Sequence, residues 1–399
     1  MSLRRHRAAG PSRRGTLRPG GFHPARQRGG FRPPHCPNRN CIFYQPSPDW
    51  RVGFWGFYRS PASRRPLQRL RCRSCKRTFT ARTFSADYWL HHRAAFIPVA
   101  RASVAGSGLR QTARSFRLSH ATVGRHLARA GRLCLVFHRK MVRSARRCPS
   151  EPFAFDGFET FEYSQFFPCH LNLAVGARSW MVYHFTHSPL RRKGSMTREQ
   201  KSRRAELESA LGRPDPKAVE NGIFELLRQT VELRHPSPDP AVVFSDDHPA
   251  YLRALRRLRR DPDLPELVHR TTPGRAARTR ANPLFPVNLT DLLLRHCGAN
   301  HRRETIAFSK RVQGALERLA IFTVWRNAIK PRREKKPGET AAMAAGYLSG
   351  PLRWREVLRR RQFPRKSELP APWWEYYWGR IHTAALGPRQ RENRATYAF

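Results

Sequence analysis

The sequence predicts a multidomain chain: a zinc ribbon, a helix-turn-helix and an α/β domain with a mixed sheet. Three observations predict it. Two cysteine pairs, Cys36 with Cys41 and Cys72 with Cys75, flank an aromatic stretch. Charge is divided unevenly: residues 1–150 hold 33 Lys and Arg against Asp49 and Asp87 alone, a net of +31. Residues 151–399 hold 44 against 26, a net of +18. From residue 149 onward, short apolar runs alternate with helical patterns, the order that builds an α/β sheet.

The whole chain has 399 residues and 46.3 kDa, enough for two or three domains and an ample core. Its 77 Lys and Arg against 28 Asp and Glu set a formal net charge of +49 and a pI near 11.6. Such a chain repels itself unless a polyanion neutralises it, which argues against an ordinary metabolic enzyme. Arginines number 67 and lysines 10. A GC-rich genome accounts for that ratio but not for the shortage of acids. The planar Arg fork also grips two phosphate oxygens at once. No apolar run reaches the ~18 residues of a membrane span. The Arg-rich start lacks the apolar segment of a secretory signal.

Residues 1–34 mix Arg, Gly, Pro and Ser with no periodicity, the composition of a disordered basic arm. In 35–85, Cys36-Pro-Asn-Arg-Asn-Cys41 and Cys72-Arg-Ser-Cys75 each form a tight knuckle, and the stretch Trp50–Tyr58 reads as strand. Four such thiolates suit one tetrahedral Zn²⁺, and disulfides are rare in the intracellular setting expected for a basic, signal-free chain. Cys134, Cys148, Cys169 and Cys297 stand singly and are expected to pack as small hydrophobes.

Residues 86–148 read as the helix-turn-helix. One helix runs from Leu109 through Phe116, a turn follows at Arg117–Leu118, and a second helix starts at His120. Ser119 is its expected N-cap and Gly131 its expected stop. Val123, Leu127 and Ala130 recur at i, i+4, i+7 and should face inward. Thr122, Arg125, His126 and Arg129 form a second face, expected to meet the major groove and its phosphates.

In 149–330, strands are expected at Phe153–Asp156, His170–Val175, Trp180–Thr186, Ala241–Asp246 and Leu267–Arg270. Thr197-Arg-Glu-Gln200 has the pattern of a capping box, and Asp215-Pro216 and His248-Pro249 open further helices. Helices 288–297 and 304–328 follow, the second with Val312, Leu316, Leu319 and Thr323 on one stripe. Residues 331–399 read as a basic, Pro-broken tail carrying the aromatic cluster Trp373–Trp378.

Asp156 and Asp246 each end an expected strand, so neighbouring strands would set them side by side. Taken alone, an Asp at a strand end is more often a turn or cap residue. Paired carboxylates repel unless a cation lies between them. Two Mg²⁺ ions held by such acids activate a water on one side of a phosphate and stabilise the leaving oxygen on the other. No Gly-x-Ser-x-Gly elbow, Walker loop or Gly-x-Gly-x-x-Gly offers another chemistry. His187, His248, His296 and His301 are not spaced as a metal pair and are expected on the surface or in loops. Arg270, Arg275, Arg278 and Arg280, before the last helices, read either as a phosphate clamp or as a solvated basic loop.

Six stretches together resemble bacterial insertion-sequence transposases with a zinc ribbon, a helix-turn-helix and a DDE-type catalytic domain. They are Cys36-Pro with Cys72-x-x-Cys75 and Lys76-Arg77-Thr78-Phe79; Leu109–Arg114; Phe155–Phe161; Leu190–Thr197; Ser245–Tyr251; and Arg303–Lys310. The resemblance spans residues 36 to 330. It implies a ribonuclease H-like catalytic domain, DNA cleavage and strand transfer with Mg²⁺ or Mn²⁺, double-stranded DNA as element end and target, a homo-oligomer on that DNA, and a bacterial, nucleoid-associated cytoplasmic location. Asp156 and Asp246 match the first two metal acids, with Asp247 a rival more suited to an N-cap. The third acid departs from the family pattern: Asn288 stands where a Glu is expected. Asp291, one turn later on the same face, takes its place, and Glu304 is the alternative. That departure keeps a second reading open, a DNA-binding protein without catalysis.

Overall fold

The computed structural model describes residues 31–59, 66–144, 151–233, 239–302, 305–381 and 383. Residues 1–30 of the expected arm, Cys148 and Glu304 lie outside the described residues. The chain divides into two compact units, Met1–Phe84 and Ser85–Phe399.

In the first unit, β1 (Val52–Tyr58), β2 (Leu67–Cys72) and β3 (Thr78–Phe79) form an antiparallel sheet in that order. A bulge separates the Phe54–Leu70 pair from the Phe57–Gln68 pair. Gly56 sits in it at φ 80°, a backbone region that glycine adopts without a Cβ penalty. The core is small: Leu70, Phe79 and Phe84 with Cys36, Cys41 and Cys72.

The second unit opens with helices α1 (Phe96–Ser103), α2 (Leu109–Ser115) and α3 (His120–Ser144). Arg117, at φ 50°, makes the turn between α2 and α3, and the Ser119 hydroxyl caps α3 by accepting the Thr122 N–H at 3.1 Å. Gly131 does not stop α3, which continues for thirteen more residues to Ser144. The residues after Gly131 are good helix formers, and the glycine serves a close approach instead. A Cβ there would lie 2.6 Å from the Glu317 carbonyl oxygen.

A five-stranded sheet follows, built from β4 (Phe153–Phe161), β5 (Pro168–Gly176), β6 (Val182–Pro189), β7 (Ala241–Ser245) and β8 (Leu267–Thr271). Its order is β6-β5-β4-β7-β8. β5 is antiparallel to β4 and β6, while β4, β7 and β8 run parallel. Helices α4 (Arg198–Leu211) and α5 (Ala218–Val231) connect β6 to β7, and α6 (Pro249–Leu258) connects β7 to β8. The Thr197 capping box forms as expected, with Thr197 and Gln200 exchanging backbone-to-side-chain bonds of 3.1 and 3.2 Å.

After β8 come α7 (Phe285–Cys297) and α8 (Val312–Val324), the latter starting later than the pattern predicts because the Glu162 carboxylate receives the Val312 N–H at 2.7 Å. Val312, Leu316, Leu319 and Thr323 are all buried, as their spacing predicts. A π-helical turn, Trp325–Ile329, leads to the hairpin of β9 (Pro331–Arg333) and β10 (Lys336–Thr340), then α9 (Ala341–Ala344), α10 (Trp354–Val357) and α11 (Ala371–Trp378).

Strand residues alternate between two cores. Ala154, Phe158, Leu171 and Leu173 join α3, α7, α8 and α11 on one face. Phe153, Phe155 and Ala174 join α5, α6 and α9 on the other. The segments expected as a separate helix-turn-helix and as a tail therefore share cores with the sheet. The aromatic cluster is the clearest correction. Trp373 and Tyr377 are fully buried, and the Trp373 indole donates to the Phe185 carbonyl at 2.8 Å.

Two glycines of α3 make a matched test. Gly131→Ala drives a methyl into the α8 backbone and is expected to destabilise by about 1–3 kcal/mol. At Gly124 the nearest atom to a Cβ is Leu109 Cδ1 at 3.9 Å, an ordinary contact. Gly124→Ala is therefore expected to stabilise, by up to about 1 kcal/mol, through helix propensity. Denaturant unfolding of both variants checks the opposite signs.

Candidate functional site

Four thiols converge in the first unit. Cys36, Cys41, Cys72 and Cys75 place their sulfurs within 4.8 Å of one another. Cys36 Sγ is 3.6 Å from Cys75 Sγ, and Cys41 Sγ is 3.9 Å from Cys72 Sγ. A tetrahedral ion with metal–sulfur bonds of about 2.3 Å spaces its sulfurs about 3.8 Å apart, so the set could hold one metal ion. A disulfide, at about 2.05 Å, is far shorter. The Trp50 indole N–H points at Cys72 Sγ from 3.3 Å. Burial pushes the Cys36 and Cys41 thiols up. At Cys75 burial is outweighed by hydrogen bonds from Asn38 and the Arg77 backbone, which bring the thiol down to about 7.

The second site lies where β7 stops. The parallel register pairs Phe153 with Val243 and Ala154 with Phe244. Continued by two positions, it brings Asp156 level with Asp246. β4 itself runs on past Asp156 to Phe161, so Asp156 lies inside its strand rather than at the end. Tyr251, in the first turns of α6, donates its hydroxyl to Asp156 Oδ1 at 3.0 Å and accepts the Gly157 N–H at 3.0 Å. Asp246 accepts the His248 N–H at 3.1 Å. Its pKa is raised by burial and by Asp156, against the lowering effect of that N–H. His248, not Asp247, caps α6, with its Nδ1 receiving the Ala250 N–H at 3.2 Å; Asp247 is exposed.

Asp291 enters from α7. Its Oδ1 is enclosed and has no hydrogen-bond partner among the described residues. Burial and the facing Asp156 charge hold its pKa well above the ordinary carboxylate range, opposed by Arg295 and Arg278. The Asp156 charge thus raises the proton affinity of both other acids. Among the described residues only the four cysteines bring three or more ligand atoms within 4.8 Å of one another. The acids are close enough to repel yet wider apart than the shell of a single ion. Asn288, one turn before Asp291 on α7, is half-buried.

The predicted DNA-contacting residues divide. Arg125 is exposed and Thr122 half-exposed. His126 and Arg129 are buried, contrary to the helical-face expectation. The His126 ring bonds the His91 carbonyl at 2.8 Å, and Arg129 donates to the Tyr88 carbonyl at 2.7 Å. Burial lowers the Arg129 pKa to about 10. The residues before α1 cover this side of α3, so its buried arc is wider than one apolar stripe. Arg270, Arg275, Arg278 and Arg280 are all exposed. His301 is buried and His187 lies within β6, its ring 3.0 Å from the Tyr376 hydroxyl, so neither is a surface histidine. Tyr251 escaped sequence reasoning as a site residue; only its place one turn into a helix beginning beside Asp246 marks it.

Compared with known proteins, the chain matches no family model and no curated protein.

The cysteine cluster predicts one tightly bound metal ion per chain. Chelation should expose the amides of residues 31–84 to hydrogen exchange, and Cys72→Ser should do the same. Metal-free purified protein, with Cys72→Ser as stable as wild type, would overturn the assignment.

Asp291 binds its proton more tightly folded than unfolded, so its contribution to stability falls as pH rises above about 4. In EDTA at neutral pH, Asp291→Asn is expected to be more stable than wild type. The gap should close toward pH 4. Denaturant melts at both pH values measure it, and a less stable variant at neutral pH contradicts the reading.

Proposed function

We propose that this chain is a DDE-type DNA transposase with a zinc ribbon, a helix-turn-helix and a ribonuclease H-like catalytic domain. One observation carries the reading: Asp246 and Asp291 both face Asp156, on the central strand of a sheet in which only β5 runs against the rest. Three buried or half-buried acids in so basic a chain call for a cation. The orphaned Asp291 Oδ1 is a ready ligand. Divalent ions bound there would supply the counter-charge that the three carboxylates lack.

In this reading Asp156, Asp246 and Asp291 hold Mg²⁺ or Mn²⁺. The bound ions supply charge that lowers the pKa of the attacking water and stabilises the leaving oxygen. Tyr251 and the Gly157 N–H fix Asp156 Oδ1, which orients the carboxylate toward the cation side. Arg278, with exposed Arg275 and Arg280 beside it, binds phosphates next to the acids. The exposed Arg110, Arg114, Arg117, His120 and Arg125 around the α2–α3 turn form a basic face for the element ends. Cys36, Cys41, Cys72 and Cys75 hold structural Zn²⁺. Joining two ends requires at least two copies of the chain on double-stranded DNA, in the bacterial cytoplasm at the nucleoid.

The second reading, DNA binding without catalysis, is favoured by Asn288, which stands where the resemblance calls for Glu. Cleavage of end-sequence DNA in Mg²⁺ or Mn²⁺ separates the two. Asp156→Ala and Asp246→Ala are expected to lower cleavage roughly a thousand-fold, because such ions supply several kcal/mol of transition-state stabilisation. DNA binding should hold or tighten, since a charge repelling phosphate is removed. Asp291→Asn should be equally inactive, and Glu304→Gln should remain active. If wild-type protein fails to cut end-sequence DNA whichever divalent metal is supplied, while Asn288→Glu gains cutting, the binding reading replaces the catalytic one.

A further inference from the structure

We propose that the outer face of the β1-β2-β3 sheet binds a single strand of nucleic acid, stacking unpaired bases on Trp55 and Tyr58. The register defines this face. Tyr58 pairs with Leu67, Gly53 with Arg71, and Arg71 with Thr78, so these residues share one side of the sheet. Arg69, two positions before Arg71 in β2, falls on the same side and donates to the Thr78 hydroxyl at 3.2 Å. Trp55 joins them through the bulge: the Arg71 guanidinium lies over its ring, 4.0 Å from the centroid. The opposite side carries Leu70, Cys72 and Phe79, which are buried, with the exposed Phe54 and Phe57 at its β1 edge.

Trp55 is 36% exposed and Tyr58 48% exposed, although the same unit buries Phe79 and Phe84 nearly completely. Of the four exposed rings of β1, these two share their side of the sheet with Arg69 and Arg71, whereas Phe54 and Phe57 pair with Leu70 and Gln68 on the other. A planar cation already occupies part of the Trp55 face, the geometry a base would adopt. The partner's charge is set by the unit itself: residues 1–84 hold 20 Lys and Arg against Asp49 alone. A polyanion with flat apolar faces meets both demands, the combination used by stacking platforms for single strands.

Duplex DNA fits this face poorly. The major groove, about 12 Å wide, admits a helix or a two-stranded ribbon. Three strands about 4.8 Å apart already span about 10 Å of backbone before side chains are added. Bases in a duplex are also stacked on one another and offer no free face to Trp55 or Tyr58. The face lies wholly within the first unit, so its binding stands or falls apart from cleavage at the carboxylates.

Fluorescence anisotropy of the full chain with a labelled ten-residue oligothymidylate, beside a duplex of the same length, tests this. Trp55→Leu and Tyr58→Ala are each expected to weaken oligothymidylate binding roughly 5- to 150-fold, the range for loss of one stacked base. Duplex binding should change less than two-fold, and Trp55→Phe should keep most of the single-strand affinity. Bound metal, measured in every variant, reports whether the ribbon remains folded. Should Trp55→Leu lose its metal, the comparison of Trp55→Phe with Tyr58→Ala decides by itself. Equal losses for single strand and duplex, or no loss in any variant, would overturn the proposal.

Discussion

The second unit depends on one constraint, the coverage of β4 on both faces. Its alternate side chains enter separate cores, Ala154 and Phe158 on one side, Phe153 and Phe155 on the other. A strand in that position must be apolar almost throughout, and any polar group on it has to find a partner or pay a desolvation cost of a few kcal/mol. Asp156 sits where the pairing with β7 ends: β7 stops at Ser245, so beyond Ala154 the strand has no described pairing on that side. The Tyr251 hydroxyl supplies a partner there.

Electrostatics makes that position unusual. The chain has 28 acids among 399 residues, and several of the described ones, such as Glu208, Glu220 and Glu225, pair with arginines. Here the reverse holds: Asp156 raises the proton affinity of both its neighbours. Arg295 gives partial relief to Asp291, but it is itself spread over the Phe158 ring at 4.4 Å and bonded to the Glu159 carbonyl. Like charges left together oppose one another's ionisation.

The first unit meets a different constraint, its size. Fewer than about a hundred residues bury too little surface for ample stability, and small modules compensate with metals or disulfides. The cysteine sulfurs take the centre of this core, and the rings of Phe54, Trp55, Phe57 and Tyr58 on β1 remain exposed.

The sequence by itself determined what short-range physics controls. The two knuckles, the Ser119 and Thr197 caps, the buried stripe of α8 and the five strands were legible, because capping and two- or 3.6-residue periodicity are local properties. The candidate acids Asp156, Asp246 and Asp291 were legible too, partly from strand ends and partly from resemblance. Tertiary structure decided the rest. Gly131 looks like a helix stop until α8 is seen against it, and then its missing side chain is a packing requirement. His126 and Arg129 look like a DNA-facing surface until the segment before α1 covers them. Trp373–Trp378 looks like a tail until β6 lies beneath it. In each case the partner is distant in sequence, and only long-range packing determines which side of a residue meets water.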